Sequence, residues 1–310
     1  MFDDLQDSPV ISLGEGNTPL VWAEAFGRQV AFKCEFTNPT GSFKDRGSAL
    51  IASFLVSRGV KNAVEDSSGN AGASFAAYAS RAGIQARVFM PDSASGAKRR
   101  QIEAYGAEIV RILGPRSNAS EAVKRSAEQG SVYASHAYLP MNIPGYATAA
   151  YEIYEQLGET PGTVVLPVGQ GGLFLGIYRG FVSMQKANVF SKLPVMVGVQ
   201  TEACAPLWAL NMYGSAGLGM VGEGESLAEG IRVKYPLRGD SVIAAVKDSL
   251  GMILVVSEDA ILFGRDHLAR RGLYVEPTSA IIWDALRQIS DRIPEPIVAI
   301  LTGSGLKYSG

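Results

Sequence analysis

The stretch Thr163-Val164-Val165-Leu166-Pro167-Val168-Gly169-Gln170-Gly171-Gly172-Leu173 passes from a β-branched run, through three glycines, into an apolar segment. That order reads as a strand, a tight loop and a helix start. Glycines at such a junction let the backbone wrap closely around an anion, with the first N–H groups of the helix pointing at it. The dinucleotide-binding fingerprint fits poorly, because Phe174 stands where its third glycine belongs. No acidic residue closes the next strand, Val195–Gln200, to hold a ribose, and no Walker A string is present. A ligand with a single phosphate fits Gly169–Leu173 better than NAD or ATP.

Strand and helix patterns alternate outward from this unit. β-Branched runs stand at Val30–Phe36, Ala63–Asp66, Ala86–Met90, Glu108–Ile112, Val195–Gln200, Ile253–Val256 and Ile297–Leu301, with helix-like stretches at Ala73–Ala82, Ala147–Leu157, Glu258–Arg271 and Ser279–Ser290. Alternation of this kind predicts an α/β fold of parallel sheets covered by helices. The 310 residues suggest two lobes. The segment Leu139–Gly145, with two prolines and a glycine, marks a crossing point. The expected division is a larger lobe of residues 1–44 and 145–310, and a smaller lobe of 45–144 that carries the Ser67–Asn70 loop.

Composition narrows the function. The net charge is −2, with both signs interspersed, which argues against a nucleic-acid partner. No apolar run reaches the roughly 18–20 residues that span a bilayer. Met1–Pro9 lacks the cationic-then-apolar order of a signal peptide, so a cytoplasmic protein is expected. Cys34 and Cys204 are far apart, and His136 and His267 are the only histidines, so no disulfide framework or metal site is expected.

In open α/β sheets ligands gather where loops leave the carboxyl ends of strands. Three further loops of that kind stand out. Asn38-Pro39-Thr40-Gly41-Ser42-Phe43-Lys44-Asp45-Arg46-Gly47 runs turn chemistry straight into a helix start and places Lys44 in the first turn. The positive end of the helix dipole is expected to lower that amine's pKa, which suits a Schiff-base lysine. Taken alone, Lys44 reads rather as a solvated side chain paired with Asp45. Ser67-Ser68-Gly69-Asn70-Ala71-Gly72 offers hydroxyls and amides at a helix N-terminus, a site for a carboxylate or simply an N-cap turn. Leu301-Thr302-Gly303-Ser304-Gly305-Leu306 offers a neutral hydroxyl from Thr302 or Ser304, or is a glycine turn.

Together with Gly16-Asn17-Thr18-Pro19-Leu20 and Glu276-Pro277-Thr278-Ser279-Ala280, these strings stand in the order and spacing of the fold-type II pyridoxal 5′-phosphate enzymes. The chain resembles this tryptophan synthase β-like superfamily from Gly16 to Lys307, and within it the threonine synthase group. The resemblance implies pyridoxal phosphate held as a Schiff base on Lys44, with Phe43 packed near its ring. It implies Asn70 on the phenolic oxygen, Gly169, Gln170, Gly171, Gly172 and Leu173 on the phosphate, and Thr302 facing the pyridine nitrogen. Ser67, Ser68 and Ala71 would line the substrate carboxylate site. A homodimer is the usual assembly of the superfamily, and no regulatory domain is expected after Lys307.

The group's reaction converts O-phosphohomoserine and water to threonine and phosphate, with Lys44 as acid and base. A substrate phosphate calls for a cation, yet residues 126–178 contain neither lysine nor arginine. Ser135-His136-Ala137-Tyr138-Leu139-Pro140 stands where the group carries asparagine, serine and arginine. Arg232, in Glu229–Lys234, is the leading substitute or else a surface charge; His136 is a possible donor or a structural histidine, and Arg46 is read as structural. The competing expectations are β-elimination or β-replacement on serine, threonine or an activated serine, and a non-catalytic pyridoxal-phosphate binding protein.

Overall fold

The computed structural model describes residues 9–94, 96–114, 116–222, 224–289 and 291–308. The strands are β1 (Leu20–Ala25), β2 (Arg28–Lys33), β3 (Asn62–Glu65), β4 (Gln85–Pro91), β5 (Glu108–Ile112), β6 (Val132–Tyr133), β7 (Thr163–Pro167), β8 (Val195–Thr201), β9 (Met252–Val256) and β10 (Ile297–Ile300). The helices are α1 (Lys44–Ser57), α2 (Asn70–Arg81), α3 (Ala97–Ala104), α4 (Arg116–Glu128), α5 (Asn142–Leu157), α6 (Gly172–Lys186), α7 (Pro206–Tyr213), α8 (Gly239–Asp248), α9 (Asp259–Ala269) and α10 (Pro277–Ile289).

The chain forms two compact units. One comprises Met1–Gly16, Asn38–Gly145 and Lys307–Gly310, the other Asn17–Thr37 and Tyr146–Leu306. Segments 1–16 and 38–44, Lys44 among them, thus group with the smaller unit, whereas the sequence division placed them in the larger lobe.

The larger unit holds a sheet of order β1-β2-β10-β7-β8-β9. Only β1 runs antiparallel to its neighbour; every other pair is parallel. Strands β7 and β10 are buried along their whole length, which is why they read as continuous apolar runs rather than alternating ones. The core beneath gathers Val165, Val197, Ile281, Leu286 and Ile297. Because β7 and β10 are adjacent and parallel, the loops Gly169–Leu173 and Leu301–Leu306 leave the sheet along the same edge. The smaller unit holds a fully parallel sheet of order β5-β4-β3-β6, with Leu55, Val88 and Ile102 in its core.

The run Val30–Phe36 stops being a strand at Lys33. The Cys34 N–H turns to Pro19 O, the Thr37 hydroxyl donates to Cys34 O, and Glu35–Thr37 winds into a 3-10 turn. Buried Glu35 accepts a 2.7 Å bond from Thr18 Oγ1, a reason for the chain to leave the ladder there. Lys33 is fully buried, and its ammonium donates to Thr18 O, Glu152 and Gln156 at 2.7–2.9 Å. The last residue of the expected helix, Ser290, lies outside the described residues.

Candidate active site

Helix α1 opens at Lys44, as the turn chemistry predicts, with Phe43 at its N-cap. The turn before it is fixed by one buried carboxylate. Asp45 accepts from the Thr40 N–H and hydroxyl (2.6 Å each) and from Ser74 Oγ (2.6 Å), which sits 2.7 Å from Ser48 Oγ. Lys307 Nζ donates to Thr40 O at 2.7 Å. Burial pushes the Asp45 carboxyl up, and the hydrogen bonds and Lys307 oppose that rise. The alternative in which Asp45 serves as a surface partner for Lys44 is therefore wrong, since Asp45 is buried in this scaffold. Lys44 itself is half-buried, its Nζ 4.7 Å from the Phe43 ring centroid. Two residues earlier, Ser42 Oγ is buried without a hydrogen-bond partner.

The Ser67–Gly72 loop sits at the carboxyl end of β3. A Cβ on Gly72 would stand 1.7 Å from Ser67 O, so only glycine lets the strand's exit fold onto the helix start. The Ser67 hydroxyl accepts from Gly69 N–H at 3.2 Å, and α2 begins at Asn70 with no side-chain cap on its first amides. Ser67 and Ala71 are buried, while Ser68 and Asn70 are half-buried.

Beside this loop the structure assembles a cluster that the sequence did not reveal. Glu65, the last residue of β3, is fully buried, and its Oε1 pairs with His136 Nδ1. Its Oε2 is buried without a partner. Next to it Asp66 accepts from Tyr133 Oη at 2.6 Å. Asn142 Nδ2 donates to His136 O. Burial, with Asp66 in support, drives the Glu65 carboxyl well above its usual range, against Arg116, Lys44 and the His136 amide. Strand β6 lies parallel to β3, so its exit delivers Ser135 and His136 to the edge where Glu65 ends.

In the larger unit the glycine loop opens α6, with Gly171 in the left-handed region (φ 84°) at the N-cap. A Cβ there would stand 2.4 Å from Val242 Cγ2, and one on Gly169 would stand 3.0 Å from Ile231 Cα. The loop is thus a cradle that side chains would fill. Gln170 Oε1 accepts from Leu237 N–H at 3.1 Å, which ties the cradle to the segment before α8. Leu173 is buried in the first turn of α6. Arg238, at the N-cap of α8, is half-buried beside the Gly171 position, and burial lowers its pKa, with Arg179 adding to the effect. Nothing in the glycine motif signals that arginine.

The Thr302 hydroxyl is buried and lies 2.9 Å from Ser279 Oγ, which also accepts from Gly303 N–H at 3.0 Å. Ser304 is buried too and pairs in a β-bridge with Val275. Arg232 follows the 3-10 turn Glu229–Ile231 and is exposed. No group of histidine, cysteine, aspartate and glutamate suited to a metal occurs among the described residues.

Comparison with known proteins agrees with this chemistry. The family model described as pyridoxal-phosphate dependent enzyme matches residues 11–303. A threonine synthase of Synechocystis sp. is 34% identical over 97% of this chain and 79% of its own length. That of Mycobacterium tuberculosis is 35% identical over 96% of this chain and 83% of its own. Among solved structures, a threonine deaminase from T.th. superposes with a TM-score of 0.81 at 26% identity, covering 95% of this chain and 94% of that one. Maize serine racemase shares the fold, with a TM-score of 0.81 at 23% identity, covering 98% and 93%.

Proposed function

Because the chain belongs to the pyridoxal-phosphate dependent enzyme family, we propose that it is a threonine synthase, forming threonine and phosphate from O-phosphohomoserine and water. The observation that carries this reading is the identity of about a third to curated threonine synthases over nearly the whole chain.

The residues fit the cofactor. An amine opens α1, a glycine cradle opens α6, and a buried hydroxyl follows β10. When bound, pyridoxal phosphate supplies an electron sink for charge developing on the substrate carbons. Lys44 Nζ would hold it covalently and would hold and return the proton at the reacting carbons. Phe43 would lie near its ring. The amides of Gly169, Gln170, Gly171, Gly172 and Leu173 would take the phosphate at the positive end of α6. Asn70 would donate to the phenolic oxygen. Thr302, which lies beside Ser279, would offer the ring nitrogen a neutral hydroxyl. Ser67, Ser68 and Ala71 bind the substrate carboxylate at the uncapped start of α2, and Arg232 meets the substrate phosphate. A homodimer in the cytoplasm completes the reading. No helix among the described residues is long and apolar enough to cross a membrane.

One observation favours a second reading, elimination from serine or threonine. Where a substrate phosphate would want cations, the smaller unit presents His136, Glu65 and Asp66.

The test is a substrate panel on purified holoenzyme: phosphohomoserine, serine, threonine and O-acetylserine, scoring phosphate, 2-oxo acid and new amino acid. Phosphate release with threonine formation is expected. Oxo acid from threonine, with no phosphate chemistry, would establish the second reading instead. Borohydride reduction should trap the cofactor on Lys44; label on another lysine would overturn its role.

A further inference from the structure

We propose that Lys307 is a positioning residue for Lys44: its ammonium closes a buried clasp on the turn that delivers the Lys44 amine. The inference rests on the pyridoxal-phosphate reading of Lys44, but not on which amino acid is the substrate.

The clasp gathers on Thr40, in the turn that leads into Lys44. Thr40 gives its N–H and its hydroxyl to Asp45, at 2.6 Å each. Its carbonyl accepts from Lys307 Nζ at 2.7 Å and from Gln101 Nε2 of α3 at 3.1 Å. Asp45 follows Lys44 directly in the chain and also accepts from Ser74 Oγ of α2 at 2.6 Å. Lys44 therefore lies between two residues that are bonded to each other. The Gly41 N–H closes the turn on Asn38 O at 2.7 Å, with Gly41 in the left-handed region (φ 85°). Thr40, Asp45, Ser74 and Lys307 are all buried. Lys307 ends the 3-10 turn Gly305–Lys307 and belongs to the same unit as Thr40.

A lysine kept only to stabilise the unit is the competing account. It does not explain why the bonds converge on one turn. That turn also carries the buried Ser42 hydroxyl without a hydrogen-bond partner, which is costly. A backbone that bears such a cost keeps its shape only where its surroundings fix it, a condition typical of functional sites.

The clasp needs a charge as well as a donor. Three donors converge on the Asp45 carboxylate, and an ionised carboxylate accepts all of them; a protonated one turns part of its acceptor capacity into a donor. Burial pushes this carboxyl up, and the Lys307 ammonium opposes the rise. The other titratable groups gathered here are Arg46 of α1, Tyr78 of α2, and Glu15, which accepts from Tyr78 Oη at 2.7 Å. The Tyr78 phenol is itself raised by burial and stays neutral.

The test compares wild-type holoenzyme with Lys307→Met, Lys307→Gln, Lys307→Arg and Gln101→Met. The main readout needs no substrate: the visible band of covalently held cofactor, followed as the pH is lowered until it is lost. Without the ammonium, Asp45 takes up its proton at higher pH. The acid-side midpoint should therefore rise by about 1 pH unit in Lys307→Met and Lys307→Gln, the low end for removal of an opposite charge. Lys307→Gln keeps a donor for Thr40 O and lacks only the charge, whereas Lys307→Arg keeps the charge and should keep the wild-type midpoint. Gln101→Met removes a neutral donor from the same carbonyl and should not move it. On whichever panel substrate is active, kcat should fall roughly 10–10²-fold in Lys307→Met, the cost of displacing a reacting group by about 1 Å. KM should change little, because the Ser67–Ala71 loop is untouched. An unmoved midpoint in Lys307→Gln, or an equal shift in Gln101→Met, would overturn the proposal and leave Lys307 a structural lysine. Failure of both Lys307→Met and Lys307→Gln to fold would overturn it too, since the lysine would then support the whole unit. Borohydride labelling of the wild type keeps this result apart from the cofactor reading. Label on another lysine ends that reading, whereas label on Lys44 with an unmoved midpoint ends only the role of Lys307.

Discussion

The two units present their candidate groups in different materials. The larger unit uses backbone: Gly169, Gly171 and Gly172 make a cradle at the start of α6, where a methyl on Gly171 would clash with Val242 and one on Gly169 would press on Ile231. The smaller unit uses side chains, an acidic and hydroxylic network around Asp45, Glu65 and Asp66, with Lys44 at its edge. A phosphate needs fixed dipoles that never change protonation, and amides provide them. Proton transfer needs groups whose protonation does change, and only side chains provide that. The difference predicts that damage to the larger unit reads out as lost cofactor, and damage to the smaller unit as lost substrate binding or turnover with the cofactor retained.

The strongest break should come at Lys44. Lys44→Ala should lower turnover by roughly 10²–10⁴-fold, the loss expected for an acid–base group. The visible band of covalently held cofactor should vanish, yet phosphate-dependent cofactor binding should persist through the glycine cradle. Equilibrium dialysis of pyridoxal phosphate against the variant checks this; complete loss of binding would mean that the cradle does not act by itself.

Next come two glycine substitutions of matched size. Gly171→Ala places a methyl 2.4 Å from Val242 Cγ2 at a left-handed φ, and Gly72→Ala places one 1.7 Å from Ser67 O. Overpacking of this kind costs about 1–3 kcal/mol or more. Gly171→Ala should weaken cofactor binding, and Gly72→Ala should raise KM with the cofactor retained. The same defect in both variants would erase the distinction between the halves.

Most of the larger unit's contribution was legible in the sequence, because its signals are local. A β-branched run such as Thr163–Pro167 announces a strand buried on both faces, and a glycine between it and an apolar segment announces the helix start. The start of α1 at Lys44 was legible for the same reason. The smaller unit's network was not. Glu65 meets His136 across 71 positions, and Lys307 reaches Thr40 across 267. No periodicity encodes such pairings; the first exists only once parallel β3 and β6 lie side by side. Ser279 shows the intermediate case. It lay inside a recognised string, but its hold on Thr302, 23 positions away, became visible only as a hydrogen bond. The strand run past Lys33 failed because residues 34–36 look β-prone, while Pro19, opposite Cys34, has no N–H to continue the ladder and Glu35–Thr37 winds into a 3-10 turn.

Ser279→Ala tests a side-chain device in the larger unit. Removing this hydroxyl leaves the buried Thr302 hydroxyl and the Gly303 amide without the oxygen they share. About 1–3 kcal/mol of stability should be lost, the cost of an unsatisfied buried group. The absorption maximum of the bound cofactor should shift, since Thr302 would be free to turn from the ring nitrogen. An unshifted maximum would remove Thr302 from that position.

A last comparison concerns stability against pH at Glu65. Burial raises this carboxyl well above its ordinary 4.5, so the native state binds more protons than the unfolded chain once pH exceeds that value. Stability therefore falls as pH rises from about 4.5 toward the folded pKa, by at most about 1.4 kcal/mol per pH unit for one proton. Glu65→Gln has nothing to ionise and should lose less stability between pH 5 and pH 8, as read from urea midpoints. The Asp45 carboxyl, also raised by burial, contributes the same sign in both proteins and cancels from the comparison. Equal pH slopes would mean that burial does not raise the Glu65 carboxyl in the folded protein.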